Sequence, residues 1–189
     1  MCANIFKKII LILHKYFIKL IITLQNYSIM QRITILFVFF LSTLFINAQT
    51  LLPDLQLKSI DGKNVSIQGI TKDKVVVFDF WATWCVPCIN ELDAIAEEYE
   101  DLQDEFGFEL VAISVDNARS KSRVKPMVNG KGWEYEVLLD SNQKLKRALN
   151  ISSVPYVIIV KNGKVVYTHS GYTPGAEEEL YEKFKEFNK

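Results

Sequence analysis

Val75 to Phe80 (VVVFDF) is an apolar run of strand length, and after four intervening residues the chain reaches Cys85, Val86, Pro87 and Cys88. That junction narrows the folds open to this chain more than any other feature. A nearly unbroken apolar run is the pattern of a strand buried on both faces, as in a sheet covered by helices. Asp79 alone interrupts it. Beyond the cysteines, Ile89, Leu92, Ile95, Ala96, Tyr99, Leu102 and Phe106 recur at three- and four-residue spacing, which predicts an amphipathic helix ended by Gly107.

The flanking segments extend this α/β reading. Residues 54 to 70 alternate imperfectly around Asp61-Gly62, a dipeptide suited to a tight hairpin with positive φ at both central positions. A strand is expected at Glu109 to Val115, a helix near Arg119 to Val128, a short strand near Tyr135 to Leu139, and a helix near Gln143 to Leu149. Tyr156 to Lys161 and Lys164 to Ser170 flank Asn162-Gly163, a second hairpin signal, and Ala176 to Phe187 reads as a closing helix. Strands alternating with helices, then a terminal hairpin and helix, predict a sheet of mixed direction.

With 189 residues there is room for one domain with a hydrophobic core plus targeting sequence. Residues 51 to 189 are expected to be that domain. Residues 1 to 48 carry Lys7, Lys8, Lys15, Lys19 and Arg32 and no acidic residue, leaving 17 Lys+Arg against 22 Asp+Glu in the remainder. A domain of that charge offers no electrostatic footprint for nucleic acid.

The first 48 residues read as an address. Arg32, the uncharged stretch Ile33 to Ile46, and Asn47-Ala48-Gln49 form the basic, apolar and small-residue regions of a signal peptide. Fourteen residues fall short of the roughly 20 that span a bilayer. Met30 stands at the head of this pattern and is a candidate start. Residues 1 to 29 are then either an upstream extension or a basic amphipathic stretch (FKKIILILHKYFIKLII) on the membrane surface. Left uncleaved, the two apolar stretches would anchor the domain to the membrane. Cys2 lacks a preceding apolar lipoprotein-type signal and is given no role.

Two cysteines three residues apart at a helix start make a reactive thiol. Cysteine reacts as the thiolate, and a helix N-terminus favours negative charge through free N–H groups and its dipole. Cys85 is expected to be the exposed nucleophile, with Cys88 one turn further in, close enough to displace a mixed disulfide. Pro87 suits the first helical turn. A zinc site would need two further ligands, and no second cysteine pair, only His14 and His169, is present. No metal is therefore expected. A purely structural disulfide is the plainer alternative.

Phe80, Trp81, Ala82, Thr83, Trp84, Cys85, Val86, Pro87, Cys88, together with LPDLQLKSIDGK and ISSVPYVIIVKNGKVV, resembles the thioredoxin-like superfamily, and within it TlpA/ResA-type exported thiol–disulfide oxidoreductases. The resemblance covers residues 51 to 187. It implies a three-layer α/β fold, a mixed central sheet flanked by helices, with a helix–strand segment inserted before a cis-proline at Pro155. On the residues alone, Pro155 would only begin an edge strand. The resemblance further implies that Val154 pairs with substrate backbone. It sets Trp84, Val86, Pro87, Val154 and Pro155 beside the substrate, with Trp81 and Trp84 as packing and an apolar rim.

Asp79 matches a buried carboxylate that moves a proton for the resolving thiol, and Glu91 matches a glutamate common three residues after the second cysteine. Glu91 reads equally well as a solvated first-turn residue held by the dipole. Asp93 stands where relatives often have proline, and the acidic run Glu97 to Glu105 reads as a solvated helix face.

The implied activity is reduction of disulfides in exported proteins, apocytochrome c among them, in the periplasm or envelope. The Cys85–Cys88 dithiol would be the sole redox group, recharged by a membrane thiol donor. Two rival readings are a peroxiredoxin-like peroxidase and a non-catalytic module that binds polypeptides.

Overall fold

In the computed structural model the described residues are 14–23, 25, 27, 29–35 and 50–189. The chain divides into two units, residues 1–48 and 49–189. In the first, residues 14–23 and 29–35 are helical. Among the described residues no helix is long and apolar enough to cross a membrane. The expected apolar signal core beyond residue 35, its cleavage point and Cys2 lie outside the described residues.

The second unit runs β1 (Gln56–Ser59), β2 (Asn64–Ser66), α1 (Ile67–Ile70), β3 (Val75–Trp81), α2 (Val86–Phe106), β4 (Leu110–Ser114), a 3-10 turn (Lys121–Arg123), α3 (Val124–Lys131), β5 (Glu136–Leu139), α4 (Lys144–Ala148), β6 (Tyr156–Lys161), β7 (Lys164–Ser170) and α5 (Ala176–Phe187). Its one sheet has the order β2-β1-β5-β4-β3-β6-β7. The strands β3, β4 and β5 are parallel, and the pairs β1–β2, β1–β5, β3–β6 and β6–β7 are antiparallel.

All seven residues of β3 are buried, which is why its apolar run scarcely alternates. Each of its large apolar side chains contributes roughly 1.5–3 kcal/mol on burial. Its neighbour α2 starts at Cys85 and stops at Gly107, where φ is +63°, a conformation glycine adopts without steric cost. The buried face of α2 is Cys88, Glu91, Leu92, Ile95, Tyr99 and Leu102, while Glu97, Glu98, Glu100, Asp101, Asp104 and Glu105 face solvent as expected. Both α2 and α5 touch β3 and pack against each other. Phe108 packs edge-on to Tyr181 and Phe184 of α5 at 5.7 and 4.9 Å.

The helix–strand segment α3–β5 carries the sheet one strand beyond β4. Asp93 of α2 ties it down by accepting a hydrogen bond from Trp133 Nε1 at 3.0 Å and pairing with Lys131. Trp133 in turn packs edge-on to Trp81, with ring centroids 5.1 Å apart.

Three local expectations need correction. The turn at Asp61-Gly62 holds only Gly62 at positive φ (+85°). Ser59 N–H bonds Lys63 O at 2.9 Å and Gly62 N–H bonds Ser59 O at 2.9 Å, so the loop has three residues, with glycine in the left-handed bulge position. Residues 67–70, read as strand, form α1, because the Ser66 hydroxyl accepts from Gly69 N–H at 3.1 Å and caps a helical turn. The helix read from Arg119 to Val128 is the 3-10 turn followed by α3 from Val124 to Lys131. Pro126 fixes that start, since proline fits only the first turn of a helix. The Val154–Pro155 peptide is cis, as the family resemblance implied, and β6, which follows it, lies between β3 and β7 rather than at an edge.

Asn162 and Gly163 both have positive φ, +51° and +73°, as a two-residue hairpin requires. At that hairpin the domain's first residues are fastened, with Leu52 N–H bonding Gly163 O and Val165 N–H bonding Thr50 O, each at 2.9 Å.

Candidate active site

Trp81 ends β3 opposite Ser114 of β4, and the chain turns there into α2. Ala82 to Cys85 form one tight turn, closed by Cys85 N–H donating to Ala82 O at 3.0 Å. Cys85 is the N-cap residue of α2, with φ −97° and ψ 94°, and no side chain caps the helix. The first helical bond is Ile89 N–H to Cys85 O at 3.1 Å. The amides of Val86 and Cys88 therefore have no partner within the helix, and Pro87, at the second position, has no N–H to leave unpaired. Two unpaired donors and the positive end of a 21-residue helix dipole converge where the Cys85 sulfur emerges.

Cys85 and Cys88 form a disulfide, with Cα atoms 5.3 Å apart. Cys85 is 5% exposed and Cys88 is wholly buried, so Cys85 is the outer sulfur but a less open one than the sequence suggests. What stands out in solvent is its collar, Trp84 at 63% and Val86 at 65% exposure, with Pro87 also exposed. Of the two tryptophans expected to supply packing and an apolar rim, Trp81 belongs to the core and Trp84 to the rim.

Register places Pro155 at the same end of the sheet. Tyr156 pairs with Phe80, so the residue before it stands level with Trp81, where β3 gives way to the cysteine turn. Pro155 is buried and its carbonyl accepts from Gly171 N–H at 3.0 Å; Val154 is half-buried and its backbone pairs with no strand of the sheet.

Beneath the disulfide lies a pair of buried carboxyls. Asp79 is fully enclosed, and neither of its oxygens has a hydrogen-bond partner among the described residues. Burial pushes its pKa up to about 8. Glu91 lies one turn beyond Cys88 on the same face of α2 and is 3% exposed, so it is no solvated first-turn residue. Burial, then the Asp79 charge, then Glu177, push it up to about 10. Like charges that close do not both ionise readily, so burial and mutual repulsion hold a proton on the pair well above the ordinary carboxyl range. Tyr135 closes this chamber from the β5 side, its Oη donating to Leu92 O at 3.1 Å. Its phenol is also pushed up, by burial first and then by Asp79.

Two further residues join the site without having been anticipated. Asp116, just past β4, accepts from Thr83 N–H at 2.8 Å and from Thr83 Oγ1 at 2.7 Å. Glu177, at the start of α5, accepts from Gly175 N–H at 3.0 Å and from Tyr172, and its charge reaches Glu91. The parallel register that brings Asp116 beside the cysteine turn leaves no trace in a linear pattern. Glu91 did leave one, because its position falls on the helical seam running from Cys88 to Ile95.

Residues 47–184 match the family model described as Redoxin. The chain belongs to the Redoxin family. A thiol-disulfide oxidoreductase ResA of Bacillus subtilis (strain 168) is 31% identical over 120 residues, covering 63% of this chain and 65% of that protein. A thioredoxin-like protein YneN of the same organism is 30% identical over 117 residues, covering 60% of this chain and 65% of that one. The match thus spans just under two thirds of the length of these curated relatives. Among solved structures, an uncharacterized thioredoxin-like protein from Porphyromonas gingivalis shares 48% identity with a TM-score of 0.61, covering 71% of this chain and 90% of that chain. A putative thiol:disulfide interchange protein DsbE from Chlorobium tepidum superposes with a TM-score of 0.66 at 23% identity, covering 76% of this chain and 99% of that chain, and shows the fold alone. The thioredoxin-like fold, a mixed sheet flanked by helices, is thereby shown.

Proposed function

We propose that this chain is a thiol–disulfide oxidoreductase that reduces disulfides of exported polypeptides through Cys85 and Cys88. The observation that carries the reading is a closed Cys85–Cys88 disulfide whose outer cysteine is the N-cap residue of a long helix, next to amides with no partner within that helix. A structural staple gains nothing from that position, whereas a leaving and attacking thiolate does. The names of the curated relatives, thiol-disulfide oxidoreductases, support the same chemistry.

In the reduced protein the Cys85 thiolate attacks one sulfur of a substrate disulfide, and the other substrate sulfur leaves as a thiolate. Cys88 then attacks the Cys85 sulfur of the mixed disulfide and the second substrate thiolate departs. The substrate gains two electrons and the protein loses two, ending in the observed Cys85–Cys88 bond. Asp79, whose burial raises its pKa above the ordinary carboxyl range, exchanges the proton of Cys88. Trp84, Val86 and Pro87 present the apolar rim to substrate, while the free backbone of Val154 beside Pro155 pairs with its chain. A peroxidase needs one reactive cysteine rather than this adjacent pair, and a binding module needs neither.

The basic and apolar composition of residues 1–48 supports export to the periplasm or envelope, with membrane attachment where the segment is retained. A membrane thiol donor returns the electrons, and apocytochrome c is one substrate of the assigned class. Cys88→Ser in the full chain tests the cycle. Mixed disulfides with envelope proteins should accumulate on non-reducing gels, and their absence alongside an active parent would refute it.

A further inference from the structure

We propose that Asp116 is a positioning residue that latches the turn before Cys85 through Thr83, holding the nucleophilic sulfur on the end of α2. This rests on the oxidoreductase reading and assigns it a component outside the motif.

Asp116 is 1% exposed, yet its carboxylate is fully engaged. Oδ2 accepts from Thr83 N–H at 2.8 Å and from Ser114 Oγ at 3.0 Å, and Oδ1 accepts from Thr83 Oγ1 at 2.7 Å. Asp116 N–H donates back to Ser114 Oγ at 3.2 Å, which fixes the carboxylate against the end of β4. Val115 N–H bonds Trp81 O at 2.8 Å, so β3 and β4 remain locked together up to the residue where the turn begins. A buried charge holding both the amide and the hydroxyl of one residue is a two-point clamp, and hydrogen bonds to a charged acceptor are the stronger kind.

Thr83 is the second of the four residues in the Ala82–Cys85 turn. Clamped there, it leaves that turn one conformation, in which Trp84 faces solvent and Cys85 takes the N-cap backbone geometry. The residue then sits at the N-terminal end of α2, where the amides of Val86 and Cys88 have no partner within the helix. Release of the clamp lets the turn and the sulfur drift from those donors, and thiolate is lost in favour of thiol.

Asp116 could also act through its charge alone, and the two roles differ in sign. A negative charge near Cys85 disfavours the thiolate, so a purely electrostatic Asp116 would raise the thiol pKa, and Asp116→Asn would lower it. A positioning Asp116 does the reverse, because asparagine lacks the charged acceptor and can hold the Thr83 hydroxyl only by turning it from donor to acceptor, which weakens the clamp.

The experiment is alkylation of the reduced full chain by iodoacetamide across pH, with urea midpoints measured on the same samples. Thr83→Val, which keeps the shape and the amide but removes the hydroxyl arm, should displace the profile upward by about one unit, slowing alkylation about tenfold at pH 6.5. Asp116→Asn should displace it upward as well, and Thr83→Ser, which restores the hydroxyl, should track the parent. Either Thr83→Val or Asp116→Asn, folded, with a profile that overlays the parent or moves downward, overturns the proposal. If instead the parent itself titrates like a free thiol near about 8.5, it is the oxidoreductase reading that fails, whatever Thr83 does.

Discussion

Replacing Asp79 by asparagine should stabilise the oxidised protein at neutral pH. Asp79 is enclosed on β3 with no partner for either oxygen among the described residues, and burial lifts its pKa from 3.8 to about 8. The unfolded chain ionises near the ordinary value, so between the two the folded state keeps a proton that the unfolded state has released. The group's contribution is therefore intact below the unfolded value, declines as pH rises, and is fully lost once pH passes the folded value. Each unit is worth about 1.4 kcal/mol, so at pH 7, some three units above the ordinary value, the deficit is roughly 4 kcal/mol. Asparagine cannot ionise and removes that deficit, but it buries an unbonded amide at a cost of about 1–3 kcal/mol. The net expectation is a gain of roughly 1–3 kcal/mol at pH 7 that shrinks to nothing, or reverses, near pH 4. Urea unfolding followed by tryptophan fluorescence at intervals from pH 4 to 8, with the disulfide kept closed, measures it. A difference between variant and parent that is the same at every pH would falsify the assignment of a raised carboxyl to Asp79.

Kinetics separate the two buried acids: with Asp79 as the group that exchanges the Cys88 proton, Asp79→Asn should slow resolution of a mixed disulfide more than Glu91→Gln in stopped-flow assays, and the opposite order would move the proton to Glu91. Removing the Glu177 charge should lower the Glu91 pKa, since that charge raises it, and Glu177→Gln should show this as a downward shift of the Glu91 carboxyl in an NMR titration. Leu92→Ala, at a fully buried position of α2, should cost about 2–5 kcal/mol in urea unfolding, with a value under 1 showing that the core collapses around the gap. Gly107→Ala meets open space, so only the left-handed backbone at φ +63° opposes it, and a loss of about 1–2 kcal/mol in the same assay is expected.

What the linear pattern revealed, and what it hid, follows from the range of the interactions. Strand β3, helix α2, its stop at Gly107 and the turn at Asn162-Gly163 are each specified by residues within a few positions of one another, and each was legible. Asp61-Gly62 was misread because glycine alone satisfies the left-handed position in a three-residue loop, and nothing in the dipeptide tells two residues from three. Glu91 was legible in place but not in burial: helical spacing puts it on the inner seam, yet a charged residue type argues for solvent, and here the type misleads. Asp116 could not be found at all, since its partner is 33 positions away and they meet only through the parallel pairing of β3 with β4. The cis-proline entered by family resemblance rather than by local physics.

The fastening of Thr50 to Leu52 beside Asn162-Gly163 has an architectural consequence. Lys161, just before that hairpin, pairs with Val75, the first residue of β3, whereas the cysteines follow the last, seven residues along the strand. At about 3.3 Å per residue the point of entry and the sulfur pair stand roughly 20 Å apart, at opposite poles of the sheet. A partner that reaches the sulfur pair therefore approaches the pole opposite the one where Thr50 to Leu52 are fastened, over the exposed Trp84, Val86 and Pro87.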